Sequence, residues 1–144
     1  MKQPLSLNGQ LLFWIHTLKG LHGLAADALG HAVWRKRFDF AERALAHGAN
    51  LDRATASGKP LLNDLIRWGQ IPQTEWMLAH GASPNVADDD GWTAAHQAVS
   101  RGNARLLQAV IRAGADLDRR DNANRTPLDV ARLRKREKLA AMLV

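Results

Sequence analysis

The chain contains no cysteine. That excludes a disulfide framework, a thiolate metal site and a cysteine nucleophile, and it suits a reducing cytoplasm, the expected location. No stretch approaches the ~20 consecutive apolar residues that span a bilayer. The one apolar run near the N-terminus, residues 11–15, is interrupted by His16, Thr17 and Lys19, so it lacks the form of a secretory signal. Common catalytic motifs are missing as well. There is no Gly-x-Ser-x-Gly, no Gly-rich phosphate loop with lysine and no His-Glu-x-x-His. His16, His22 and His31 do not have metal-ligand spacing, and Asp88, Asp89 and Asp90 lack the alternating donors of a calcium loop and read as a solvated turn tip. The expectation is a non-enzyme with no catalytic residue, metal site, cofactor, small-molecule substrate or membrane contact.

What the chain does have is repetition. Ala46-His47-Gly48-Ala49-Asn50 stands 33 residues before Ala79-His80-Gly81-Ala82-Ser83, and Gly114 follows Gly81 by the same interval within Ala113-Gly114-Ala115-Asp116. Two of only three glutamates, Glu42 and Glu75, share that spacing. A period of this length identifies a stack of small units that bury their apolar faces against one another. Turn formers, proline and glycine mark the elements. Helices are expected at 25–34, 38–47, 61–67, 72–79, 93–100, 104–112, 126–133 and 135–143, with a hairpin-like excursion at 49–59. An apolar helix at 10–18, after a loose lead-in at 1–8, is expected to cover the first unit, with glycines 20 and 23 breaking it. The division is therefore a capping segment, 1–24, and a repeat domain, 25–144, with units near 25–48, 49–81, 82–114 and 115–144.

Asp90-Gly91-Trp92-Thr93-Ala94-Ala95-His96-Gln97-Ala98 resembles the D-G-x-T-P-L-H-x-A motif of ankyrin repeats, with alanines in place of the proline and leucine. Asn124-Arg125-Thr126-Pro127-Leu128-Asp129-Val130-Ala131 keeps Thr-Pro-Leu but has Asp where histidine is usual. Gly58-Lys59-Pro60-Leu61-Leu62-Asn63 lacks both threonine and histidine. Gly69 and Gly102 fit the turn between paired helices, and Lys36 and Lys135 stand at the equivalent places. The resemblance implies an all-α ankyrin-repeat solenoid of helix-turn-helix units with hairpin-like loops and an extra N-terminal helix. Thr93 and Thr126 are then helix caps, and His96 a structural residue bonded to neighbouring backbone.

The same register gathers candidate contact residues. Short helices end in Trp34-Arg35, Arg67-Trp68, Ser100-Arg101 and Leu133-Arg134, while the hairpin position after the glycine slot carries Lys59, Trp92 and Arg125. Stacked helices lie ~8–10 Å apart, so Trp34, Arg35, Lys59, Arg67, Trp68, Trp92, Arg101, Arg125 and Arg134 are expected to form a ladder of cations and indoles on the concave face. Trp76, on a longer helix, is expected to face the core. Arginine forks suit carboxylates and, with tryptophan, dominate protein interfaces, so the expected partner is a protein with an acidic surface. By family analogy the role is an inhibitor or immunity protein that neutralises its partner.

The alternative is nucleic acid. Of the formal charge of +6, residues 119–144 carry +5, with eight Lys or Arg against Asp121, Asp129 and Glu137. Such a segment attracts phosphate, but no helix-turn-helix, zinc finger or stacking platform accompanies it. Reversing the charges of Arg67 and Arg101 together is expected to weaken protein binding greatly and to leave the melting temperature almost unchanged, as a binding titration and a thermal melt will show.

Overall fold

The computed structural model describes residues 22–52, 55 and 58–144; the expected lead-in and the helix at 10–18 lie outside them. All regular elements among the described residues are helices. They are α1 (His22–Trp34), α2 (Phe38–Ala46), α3 (Leu61–Arg67), α4 (Ile71–Ala79), α5 (Ala94–Arg101), α6 (Ala104–Arg112), α7 (Pro127–Leu133) and α8 (Glu137–Met142). α1 starts three residues earlier than expected and so takes in Gly23. A single glycine costs a helix about 1 kcal/mol, which thirteen residues sustain. α8 starts two residues late because Lys135 turns out of helical geometry, at φ 55°.

The chain forms two compact units that divide after Asn50. In the first, α1 packs on α2 and buries Leu29, Ala32 and Val33, while α2 buries Phe40, Ala41 and Ala44. In the second, the short helices α3, α5 and α7 stack in one row and the longer α4, α6 and α8 in another. The two rows have different sequences for a physical reason. α5 is pressed between two neighbours and against α6, so Ala94 through Val99 are all buried, and three alanines among them let the backbones approach. α6 has one apolar side, Leu106, Leu107 and Val110, with Arg105, Gln108 and Arg112 exposed at helical spacing.

Each unit of the stack is opened by a hairpin that repeats in register. Backbone N–H groups of Thr55, Asp88 and Asp121 donate to the carbonyls of Lys59, Trp92 and Arg125 at 2.8, 3.0 and 2.9 Å. The tips turn at Gly58, Gly91 and Asn124, all at positive φ. Adjacent tips are joined: the Asn122 backbone donates to Asp90 O at 3.0 Å and its side chain to Asp89 O at 2.7 Å. Further back, Asp52 accepts from Ser83 N–H and Asn85 from Asp116 N–H, each at 2.7 Å.

Asp88 departs from expectation. It is buried, its Oδ1 accepts from the N–H groups of Asp90 and Trp92, and its Oδ2 from Gln97 Nε2. Only Asp89 and Asp90 form a solvated tip. Trp76 is half-buried rather than a core residue, stacked on His80 with centroids 4.0 Å apart.

Two substitutions test this backbone. Lys135 occupies a left-handed position that Gly69 and Gly102 hold in the preceding units. Lys135→Gly is expected to raise stability by roughly 0.5–1 kcal/mol. Gly91→Ala is expected to lower it, because the new Cβ would stand 2.9 Å from the Asn122 backbone nitrogen. Urea denaturation midpoints will move in opposite directions.

Candidate functional site

The third residue of α3 and of α5 ties its helix to the next unit, while that of α7 caps its own helix. In α5 this is His96, fully buried. Its Nδ1 accepts the Thr93 backbone N–H at 3.2 Å, which can only donate, so the ring proton sits on Nε2 and is donated to Arg125 O at 3.0 Å. In α3 the same position is Asn63, whose amide donates to Trp92 O at 2.8 Å. In α7 it is Asp129, which accepts from Thr126 N–H while Thr126 Oγ1 accepts from Asp129 N–H, closing a capping box. Burial holds the His96 pKa below the ordinary 6.5, outweighing the stabilisation of its charged form by the Arg125 carbonyl. Asp129 is shifted below the carboxylate range chiefly by the Thr126 backbone N–H and then by its hydroxyl.

Trp92 and Arg125 meet at a carboxylate that sequence reasoning did not single out. Asp121 Oδ2 accepts the Trp92 indole N–H and the Arg125 Nε–H, each at 3.0 Å, and lies 2.9 Å from a terminal nitrogen of the same guanidinium. Its Oδ1 takes the N–H groups of Ala123 and Arg125. Burial alone would raise the Asp121 pKa, but the Arg125 backbone N–H and guanidinium and the Trp92 indole overcome it and the net direction is down. The pair is an ordered, half-buried joint between two hairpins rather than two independent contacts. Lys59 holds the equivalent place one unit earlier, its carbonyl taking the Thr55 N–H and hydroxyl.

The ends of the short helices are more open. Trp68 is 59% exposed, with the Arg67 guanidinium 5.7 Å from its ring centroid, close enough for a cation–π contact. Arg101 leans back onto the preceding unit, where a Cβ on Gly69 would meet its Nη2 at 3.0 Å. It thus covers the C-terminal end of α3, where exposed carbonyls favour a cation, and reversing its charge will also lower stability, contrary to the expectation from sequence. Arg136 repeats this arrangement over Gly102, the C-cap of α5. Arg134, the register partner of Arg101, is exposed. Trp34 and Arg35 end α1 in the first unit, both exposed.

The register held a signal for some of the residues missed. Asp121 lies 33 residues after Asp88, Asn63 lies 33 before His96, and Leu133 shares the column of Trp34 and Arg67. Arg136 is two positions out of step with Arg101 and left no such mark.

His96 generates a pH dependence. Because its folded-state pKa lies below that of the unfolded chain, the unfolded state binds the proton first as pH falls. The His96 contribution is expected to be constant above about pH 6.5 and to decline as pH falls from there through the folded-state pKa. His96→Asn, which keeps a donor for Arg125 O, is expected to flatten that part of the slope between pH 7.5 and 5 in denaturant titrations.

The family model described as ankyrin repeats (3 copies) matches residues 62–144. An ankyrin repeat-containing protein of Schizosaccharomyces pombe is 43% identical over 61 residues, covering 40% of this chain and 30% of that protein. The B-cell lymphoma 3 protein homolog of Mus musculus is 34% identical over 92 residues, 63% of this chain and 20% of its own length. This chain therefore spans less than a third of either relative. Cyclin-dependent kinase 4 inhibitor B of Bos taurus is 33% identical over 125 residues, 85% of this chain and 95% of the inhibitor. The chain belongs to the ankyrin-repeat family.

Proposed function

We propose that this chain binds a partner protein bearing an acidic surface and inhibits or neutralises it by occupancy, without chemistry of its own. One observation carries the reading. Apart from the terminal Val144, the large apolar side chains exposed among the described residues are Trp34, Trp68 and Leu133, and all three stand in the two register columns that end the short helices. An arginine adjoins each in sequence: Arg35, Arg67 and Arg134. Exposed apolar side chains ordered by a repeat and set beside arginines fit a protein interface better than chance solvent exposure does. Within the second unit the contact set is Arg67, Trp68, Arg101 and Arg134, with Lys59, Trp92 and Arg125 on the hairpins. The inhibitory role draws support from the relative of matching length, which is itself named an inhibitor.

Affinity capture on the immobilised protein, with mass spectrometry and an activity assay of what is captured, tests the proposal. Arg67→Glu combined with Trp68→Ala is expected to weaken partner binding at least 100-fold, as for two interface anchors of about 2 kcal/mol each. Both are exposed, so the melting temperature should stay nearly constant. Undiminished binding would overturn this placement of the surface. A partner whose activity is unchanged when saturated would overturn the inhibitory role.

A further inference from the structure

Leu133 ends α7 and is 66% exposed, more than Trp34 or Trp68. Its sequence neighbours Arg132 and Arg134 are exposed, as are Lys135 and Arg136 in the turn to α8 and Lys138 in the first turn of α8. The turn is held in one shape: Lys135 sits at φ 55°, and its N–H and that of Arg136 bond back to Arg132 O and Ala131 O at 3.0 and 2.8 Å. The guanidinium of Arg136 is carried onto Gly102, next to Arg101.

Two of the three acids in the basic segment are already committed. Asp121 is occupied by Arg125 and Trp92, and Asp129 by the N-cap of α7. Glu137 is the one acid in 132–138, against five cations.

A cluster of cations alone would suit any polyanion. The leucine at its centre discriminates between them, because a phosphate backbone offers no apolar group against which to bury it. An acidic peptide with an apolar side chain between its carboxylates does. Covering Leu133 would also exclude water from the surrounding ion pairs and strengthen them. The geometry points to the α7–α8 corner as a docking site for an acidic peptide segment in which an apolar residue is flanked by Asp or Glu. This rests on the protein-binding reading above and names the chemistry of the partner.

Fluorescence anisotropy with the full chain and three labelled probes tests it. The probes are a short Asp/Glu peptide with a central leucine, the same peptide with serine there, and a single-stranded oligonucleotide of equal net charge. At low ionic strength the leucine peptide is expected to bind about ten- to a hundredfold more tightly than the serine peptide, the factor for burying one such side chain. Leu133→Ser is expected to remove that difference while keeping the melting temperature. Arg134→Glu combined with Lys138→Glu is expected to abolish binding of both peptides. Equal affinity for the two peptides, no binding of either, or an oligonucleotide bound as tightly as the leucine peptide would each overturn the proposal. A dimer in sedimentation that Leu133→Ser dissolves would also overturn it, by making a second copy the occupant. The variant Arg67→Glu/Trp68→Ala separates the two readings. If it retains the leucine peptide, the corner stands even where the helix-end surface fails. If the corner variants spare the captured natural partner, the helix-end surface stands and the corner fails.

Discussion

A single side-chain donor at the third position of α3 and of α5, reaching the backbone carbonyl ahead of the next short helix, is the interaction on which the stacked unit depends. Asn63 and His96 both make it, with different chemistry and the same result. It works only if the short helices come close, and the buried alanines of α5 permit that approach. It also needs a neutral imidazole at His96, since a proton on Nδ1 would face the N–H of Thr93. Desolvation and hydrogen bonding therefore act on the same ring: the burial that disfavours its charged form also strengthens its bonds. At Asp129 the ladder changes character. An ionised carboxylate cannot donate, and this one turns back to cap its own helix.

The scaffold also absorbs much of what looks like a binding site in the sequence. Trp92 and Arg125 share one buried carboxylate, and Arg101 rests on the end of the preceding helix. These side chains still reach the surface, but in fixed orientations that lose less conformational entropy on binding. Arg67, Trp68, Leu133 and Arg134 project more openly. The result is a graded surface, in which ordered side chains on the hairpins accompany exposed ones at the helix ends. Exposed ion pairs elsewhere, such as Arg105 with Glu75 on the longer helices, add little to stability, because solvent screens them.

The sequence by itself determined the period, the order of helices and the threonine caps, because each follows from spacing and local hydrogen-bond chemistry, and its resemblance to ankyrin repeats implied the structural role of His96. Its register also set out the columns in which Trp68, Leu133 and the arginines stand. Only the tertiary structure decided which members of a column are committed to the fold. Asp88 is buried and Asp89 solvated though they are adjacent, because Gln97, nine residues on, reaches only the first. Asn63 takes over from a histidine because the Trp92 carbonyl, 29 residues away, lies within reach of its amide. Arg136, not Arg134, covers Gly102, although Arg134 is the register partner of the Arg101 that covers Gly69. Register assigns a residue to its layer, but its partner comes from the next layer, and that distance is set by packing.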